Sequence, residues 1–105
     1  MSAHLTATLI DDTTPMTLAE LARACRAAEA QVQVWVVEGV LQPIGPSPHD
    51  RPPEWRFAGA SLKRARLAVT LTRELEVNAP GVALALDLMD EIEALKASLR
   101  RRSAA

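Results

Sequence analysis

Five of the eleven residues from Pro43 to Pro53 are proline, and no other feature of the sequence restricts the fold as strongly. Because proline fixes φ and has no backbone N–H to donate, neither a helix nor a central strand can continue through this stretch. Gly45 adds a further point at which regular structure is broken. The sequence therefore predicts a loop here, with regular structure confined to the segments before and after it.

The segment before this loop carries one clear helix signal and one ambiguous signal. Thr17-x-x-Glu20 is a capping box, in which each side chain bonds a free backbone N–H at a helix start, so a short helix is predicted from Thr17 to about Arg26. Residues 29–41 leave two interpretations open. Their β-branched valines favour a strand. On a helix, however, the polar residues would fall on one face and nearly all other positions would be apolar, which is typical of a deeply buried helix that ends at Gly39.

Two short strands are predicted, one on each side of these elements. Residues 5–10 alternate weakly between apolar and polar side chains. Residues 54–58 alternate around Arg56, which is typical of a strand that buries Trp55 and Phe57 on one face. The two strands could pair with each other.

Two longer helices are predicted after the loop, separated by a break at Asn78-Ala79-Pro80-Gly81. The first spans residues 59–76, and the second spans Gly81 to about Arg102, roughly 30 Å at 1.5 Å per residue. Pro80 suits the first turn of this last helix, where its missing N–H costs nothing. Four apolar residues of the last helix are spaced four, three and four positions apart, as in the seam of a coiled coil: Leu88, Ile92, Leu95 and Leu99. We expect this stripe to mediate homodimerisation.

Hydrophobic residues make up 49% of the chain, but aromatic residues make up only 3%. The apolar residues are mainly Leu, Val and Ala, and Leu and Ala are among the best helix formers, so a mainly α fold with an aliphatic core is predicted. Trp35 is expected to anchor that core. The length fits a single domain over residues 1–105.

The sequence contains few groups that could perform chemistry. Cys25 is the only cysteine, so no internal disulfide can form, and we expect a buried structural thiol in a reduced, cytoplasmic setting. His4 and His49 have no cysteine or histidine at metal-ligand spacing, and no phosphate-binding loop or hydrolase motif occurs. We therefore predict no metal site, no cofactor and no enzymatic activity. Residues 1–10 do not resemble a signal peptide, and no apolar run approaches the ~20 residues that span a bilayer.

Charge is distributed unevenly along the chain. Residues 1–50 contain six acidic and two basic side chains, a net charge of −4, whereas residues 51–105 contain seven acidic and ten basic ones, a net charge of +3. Two acidic groups could bind a partner: Glu29 with Glu38, and Asp87 with Asp90, Glu91 and Glu93. On a helix Asp87, Asp90 and Glu91 fall on one face, although such a set is more often an ordinary solvated face.

The order of these elements, helix, turn, helix, loop, strand and two longer helices, resembles a MerR-type winged helix-turn-helix. Thr17-Leu18-x-x-Leu21-Ala22 is similar to the start of the first MerR helix. Gly39-Val40-Leu41-Gln42-Pro43 is similar to the sequence that ends the MerR recognition helix, and Trp55-Arg56-Phe57 resembles the strand that returns from the wing. This resemblance implies that residues 29–41 are helical.

The C-terminal third is most similar to one branch of these proteins, the CbpM chaperone-modulator family. The resemblance runs from Arg73-Glu74-Leu75-Glu76 through Pro80-Gly81-Val82-Ala83-Leu84-Ala85-Leu86 to Leu88-Met89-Asp90-Glu91-Ile92. It implies a helix-turn-helix and wing in residues 1–58 and two C-terminal helices in residues 59–105. It also implies a function, because members bind the J-domain of a DnaJ-like co-chaperone of the CbpA type and inhibit its action with the Hsp70 chaperone DnaK.

The alternative function is that of a MerR-type transcriptional regulator, and the charge pattern argues against it. A DNA-binding protein of this type needs Lys or Arg on its second helix and wing to contact phosphates and bases. This chain has neither residue between Arg26 and Arg51. Gln31, Gln33 and Val37 occupy the second helix, where DNA-binding relatives usually carry arginine. The charge pattern therefore argues against DNA as a partner, and the sequence offers no ligand cluster for a small-molecule or metal sensor.

The resemblance also suggests which side chains contact the partner. J-domains present a basic helix to Hsp70, so acidic side chains are the complementary choice. We favour the last-helix group for this contact, with Glu29 and Glu38 as the alternative. The face that carries Asp87 and Asp90 points away from the predicted dimerisation stripe and would stay free in a dimer.

Overall fold

The computed structural model describes residues 14–45 and 51–104, which are mainly α-helical. A short strand comes first, two short helices follow, and a 3-10 turn leads to a second strand and two longer helices. The bounds are β1 Met16–Thr17, α1 Leu18–Cys25, α2 Glu29–Val37, the 3-10 turn Pro52–Glu54, β2 Arg56–Phe57, α3 Gly59–Glu74 and α4 Ala79–Ala104. This architecture confirms the predicted mainly α fold with a short β pairing and a long C-terminal helix.

The two strands form a short antiparallel ladder that joins the start of α1 to the start of α3. Met16 is opposite Phe57, and Thr17 is opposite Arg56. The partner of β2 is therefore β1, whereas the sequence suggested a strand at residues 5–10, which lie outside the described residues. One face of β2 is buried, as predicted, because Phe57 is buried while Arg56 is exposed.

The predicted capping box starts α1. The Glu20 backbone N–H donates to Thr17 Oγ1 at 3.1 Å, and the Thr17 backbone N–H donates to a carboxylate oxygen of Glu20 at 2.8 Å. This backbone hydrogen bond holds the pKa of Glu20 below its usual value, because it stabilises the charged form. The helix ends at Arg26, which adopts a left-handed conformation with φ of 61°. Both boundaries of α1 agree with the prediction.

The ambiguous segment is a helix, α2, as the family resemblance implies. It ends at Val37, short of the predicted boundary, because Gly39 takes φ of +85° and reverses the chain. The Val40 N–H then donates to the Trp35 carbonyl at 2.8 Å, and the Gly39 N–H donates to the Val36 carbonyl at 3.2 Å. These are the hydrogen bonds of a Schellman motif, and they close α2 over the core because Val40 and Trp35 are both buried.

The core is mostly aliphatic, as predicted, and it packs around three aromatic residues. Trp35, Trp55 and Phe57 are fully buried and are the largest side chains of the core, which confirms the role predicted for Trp35. The rings of Trp55 and Phe57 meet edge to face, with centroids 6.2 Å apart and planes at 89°. Three aromatic residues contribute a large part of the buried area of a small core, because each ring covers a large area. The other buried hydrophobic residues pack around them: Met16, Leu18, Leu21, Ala22, Cys25, Val32, Val36, Val40, Leu41, Ala65, Ala68, Val82 and Leu86.

A tight turn joins α3 to α4 at the predicted break. The Gly81 backbone N–H donates to Asn78 Oδ1 at 2.8 Å, so the Asn78 side chain satisfies a free N–H at the start of α4. Pro80 lies in the first turn of α4, as predicted. A Cβ atom at Gly81 would lie 2.7 Å from Val77 Cγ1, so this turn leaves no room for a larger residue. The turn thereby fixes the direction in which α4 leaves the core.

Candidate interaction surfaces

Helix α2 exposes apolar side chains as well as burying them. Trp35 and Val36 are buried, whereas Val34 is 44% exposed and Val37 is 80% exposed. The helical interpretation of this segment predicted a deeply buried helix. The structure corrects this expectation, because only one side of α2 faces the core. The outer side of α2 is therefore apolar where a solvent-facing helix is ordinarily polar.

Acidic side chains flank these exposed valines. Glu29 lies in the first turn of α2, Glu38 directly follows its last residue, and both are exposed. Neither carboxylate has an ion-pair or hydrogen-bond partner within residues 14–45 and 51–104. We define the α2 surface as the set of four exposed side chains Glu29, Val34, Val37 and Glu38. Sequence reasoning found its two glutamates, but not the exposure of its valines.

The predicted acidic group on α4 is held in part by a basic residue of α3. One guanidinium nitrogen of Arg64 lies 3.0 Å from Asp87 Oδ1, and the other lies 2.6 Å from Asp90 Oδ2. Its Nε donates to the Val40 carbonyl at 2.6 Å. The Arg64 side chain is only 23% exposed, whereas the two carboxylates are 68% and 69% exposed. Arg64 thus ties α4 and α3 to the turn after α2, and it balances part of the negative charge on this face.

The other two members of the group lie apart from Arg64. Glu93 Oε2 is 3.9 Å from Lys96 Nζ, and Glu91 has no ion-pair partner among the described residues. The structure therefore brings Asp87 and Asp90 together at Arg64. The other two members of the predicted group do not join them, because Glu93 lies near Lys96 and Glu91 is exposed to solvent. Sequence reasoning missed Arg64 because this residue is 23 and 26 positions away from its two partners.

The predicted dimerisation stripe lies open along α4. Its four members are all half exposed or more: Leu88, Ile92, Leu95 and Leu99. Leu84 is exposed as well and extends the stripe by one turn towards the start of the helix. None of residues 87–104 is buried. We call these five side chains the leucine stripe.

A groove of about 940 Å³ runs between α3 and α4. Its apolar lining includes Val40, Leu67 and Leu86, and the ion pairs of Arg64 lie along it. Its charged lining has both signs, because two lysines and an arginine lie beside acidic residues of α4. A groove with mixed charge exerts little net attraction on nucleic acid or free phosphate.

Catalytic and metal-binding groups do not gather anywhere in the described residues. No cluster of His, Cys, Asp or Glu there could hold a metal ion, and none of the helices in residues 14–45 and 51–104 has the length and apolar character to cross a membrane. Cys25 is buried, as predicted, and its thiol donates to the Ala22 carbonyl at 3.7 Å. Burial raises the pKa of this thiol, which disfavours the reactive thiolate. His4 and His49 lie outside the described residues.

Comparison with known proteins finds relatives that share most of this chain. A profile of the MerR HTH family regulatory proteins matches residues 16–102. The chaperone modulatory protein CbpM of Coxiella burnetii is 37% identical over 92 residues, which are 88% of this chain and 83% of that protein. Proteins of the same name from Pseudomonas putida and Pseudomonas entomophila are 39% and 36% identical, and each alignment covers 69% of this chain and 70% of the relative. The profile match includes the α2 surface and the leucine stripe.

Proposed function

The chain belongs to the CbpM family of chaperone modulators, a branch of the MerR helix-turn-helix proteins, and we propose that it binds the J-domain of a CbpA- or DnaJ-like co-chaperone. Bound there, it inhibits the action of that co-chaperone with the Hsp70 chaperone DnaK. The names of the relatives support a chaperone-modulating role, and the J-domain is the partner that the family resemblance implies. The protein acts by binding, without a catalytic residue or a cofactor. We also propose a cytoplasmic location, where the lone thiol of Cys25 stays reduced.

The α2 surface is the observation that carries this proposal. In DNA-binding helix-turn-helix proteins the second helix is the recognition element. Here its outer side combines exposed valines with glutamates that have no ion-pair partner in residues 14–45 and 51–104, and the chain has no Lys or Arg between Arg26 and Arg51. Such a surface repels DNA and attracts a basic protein helix.

Inhibition by occupation follows from this complementarity. The J-domain presents a basic helix to Hsp70, so a protein that covers this helix leaves DnaK without its contact. Opposite charges speed the encounter, and apolar contacts prolong the complex. The sequence offers two alternative acidic groups for this contact, which are Glu29 with Glu38 on the α2 surface and Asp87 with Asp90, Glu91 and Glu93 on α4.

The ATPase rate of DnaK, stimulated by the cognate J-protein, tests this mechanism. Adding the chain should return the rate to the unstimulated level, and a higher concentration of DnaK should restore stimulation, because the two proteins compete for one surface. The isolated J-domain should also bind the chain in a direct titration. Absence of binding up to roughly 100 μM, a very weak affinity, would overturn the proposed function. Inhibition that does not respond to DnaK concentration would overturn the occupation mechanism.

A MerR-type DNA-binding regulator is the second candidate, and the family profile favours it at the level of the fold. The charge pattern predicts no sequence-specific binding to duplex DNA. Fluorescence anisotropy of a labelled duplex at low salt is the most sensitive measurement, because phosphate contacts are strongest there. Tight, sequence-selective binding at physiological salt would replace the chaperone role with a transcriptional one.

We further propose that the chain forms a homodimer through the leucine stripe. A row of exposed apolar side chains along one helix marks an interaction site, and the pairing of two α4 helices would bury the stripe against itself. Sedimentation of the wild type should show a dimer, and a Leu95→Glu, Leu99→Glu variant should be monomeric. If both proteins are monomeric at tens of micromolar, the stripe does not mediate dimerisation.

A further inference from the structure

We propose that the α2 surface is the docking site for the partner and that it receives a basic amphipathic helix. The apolar side chains of that helix pack on Val34 and Val37, and its Lys or Arg side chains meet Glu29 and Glu38. This inference rests on the proposed function and narrows it, because the sequence offered two acidic groups and favoured the one on α4. The two groups differ in their exposed apolar neighbours, and they differ in whether their carboxylates are already paired with Arg64.

The α2 surface contains an apolar row that no other proposed contact uses. Ala30, Val34 and Val37 are spaced four and three positions apart, so they form one row on the exposed side of α2. Val37 has the largest exposed fraction of any large hydrophobic residue in the described chain, at 80%. The acidic group of α4 has exposed apolar neighbours too, but Leu88 and Ile92 belong to the leucine stripe, which the proposed homodimer would bury. Because buried apolar contacts supply most of the energy at an interface centre, α2 is the better anchor.

The carboxylates of the α2 surface are also free to form new ion pairs. Glu29 and Glu38 make no ion pair with any described residue, whereas Arg64 engages the aspartates of the α4 group. A partner that recruited those aspartates would compete with a guanidinium that is already positioned by the Val40 carbonyl. A partner of α2 breaks no ion pair within the part of the chain that the structure describes.

The size and charge of the α2 surface point to one helix as its occupant. Glu29 and Glu38 are separated by about 14 Å along the axis of α2, at 1.5 Å per residue. This length matches two to three turns of a second helix, with apolar residues at the centre and a basic residue near each end. The segment from 27 to 50 contains no Lys or Arg, so it has no permanent positive charge that would repel the partner.

Titration of the cognate J-domain with four forms of the full chain tests the inference. One variant removes the apolar row (Val34→Ser, Val37→Ser), and one reverses the flanking charges (Glu29→Lys, Glu38→Lys). The matched control makes the same change in net charge on α4 (Glu91→Lys, Glu93→Lys), at exposed carboxylates that Arg64 does not engage. Circular dichroism and thermal unfolding establish that each variant is folded.

The apolar variant should raise the Kd at least about tenfold. The α2 charge variant should slow association and weaken its dependence on salt, and the α4 control should stay within about twofold of the wild type in both rates. Amide NMR chemical shifts of the wild-type chain provide a measurement that needs no variant. Addition of the J-domain should shift the signals of α2 residues more than those of α4 residues.

Three contrary outcomes are distinguishable. A wild type that binds the J-domain, with α2 variants that bind equally well or shifts confined to α4, overturns this inference and leaves the proposed function standing. Shifts of α2 signals on concentrating the chain alone would show that a second copy occupies the surface, which also overturns it. A wild type that binds no J-domain overturns the proposed function and this inference together.

Discussion

The head of the molecule, residues 14–45 and 51–57, and the distal part of α4, residues 87–104, use their apolar side chains in opposite ways. In the head, most large apolar side chains are buried in one cluster that includes Trp35 and Phe57. In distal α4 no side chain is buried, and the leucine stripe is exposed. The difference teaches that the head is stabilised by its own packing, whereas distal α4 carries apolar surface that no described part of this chain covers.

The α2 surface is an exception within the head, and it differs in kind from the leucine stripe. Its valines are flanked by carboxylates, so it suits a partner of opposite charge. The leucine stripe is a long row of similar side chains on one helix, which suits pairing with a copy of itself. The α2 surface therefore suits a basic partner, and the leucine stripe suits a second copy of the chain. Both partners could bind at the same time.

Truncation of a buried and an exposed apolar residue is the strongest test of the contrast between head and distal α4. Phe57→Ala should lower the free energy of unfolding by about 3–5 kcal/mol, because it leaves a cavity beside Trp55 in the core. Leu99→Ala should change it by less than about 0.5 kcal/mol, because the side chain is exposed. Urea denaturation at a protein concentration low enough to keep the chain monomeric measures both. Equal losses would mean that distal α4 packs within the monomer.

Gly81→Ala tests the turn that directs α4 away from the head. In an ordinary helix this substitution is stabilising by about 1 kcal/mol. Here the new Cβ would lie 2.7 Å from Val77 Cγ1, so we expect a loss of about 1–3 kcal/mol in the free energy of unfolding.

A double-mutant cycle provides the control for this prediction. Val77→Ala removes the Cγ1 atom, so Gly81→Ala should be much less harmful in that background. The same loss in both backgrounds, or a gain in stability from Gly81→Ala alone, would show that the turn is not as tight as described.

Thr17→Ala tests the start of α1, at the edge of the head. It removes the hydroxyl that accepts from the Glu20 N–H, and the loss of such a cap costs about 1 kcal/mol of stability. Thermal unfolding measures this cost. Thr17→Ser, which keeps the hydroxyl, is the matched control and should retain most of the stability.

The capping box also predicts a pH dependence. The pKa of Glu20 is lowered in the folded state by the backbone hydrogen bond from Thr17. A carboxylate of this kind stabilises the fold above its unfolded pKa, and the stabilisation is lost as the pH falls through its folded pKa. The stability difference between the wild type and Glu20→Gln should therefore shrink on acidification, and a difference that grows towards low pH would contradict this assignment.

Features that depend on neighbours a few residues apart could be predicted from the sequence. The Thr17–Glu20 capping box, the helix stop near Gly39 and the placement of Pro80 in the first turn of α4 are all present in the structure. Each is fixed by backbone geometry over about one helical turn, so residue type and spacing already contain the necessary information.

Features that depend on the packing of distant elements could not be predicted. The exposure of Val34 and Val37 is set by which side of α2 faces the core, and a helix with valines on several sides does not show which side that is. The contacts of Arg64 with α4 depend on the relative position of two helices, which hydrophobic periodicity does not encode. For the same reason the proposal that the partner binds α2 rather than α4 rests on the structure and not on the sequence.

The smallest expected effect concerns the ion pairs that join α4 to Arg64 of α3. Asp87→Asn together with Asp90→Asn removes both partners of the Arg64 guanidinium, but the carboxylates are about two-thirds exposed, so solvent screens much of the attraction. We expect a loss of under about 0.5 kcal/mol per pair at physiological salt, rising at low salt, where charges are screened less. Arg64 keeps its hydrogen bond to the Val40 carbonyl in this variant, so the fold should be retained. Chemical denaturation at two salt concentrations measures the effect. A loss of several kcal/mol that is independent of salt would mean that α4 depends on these pairs as the head depends on its core.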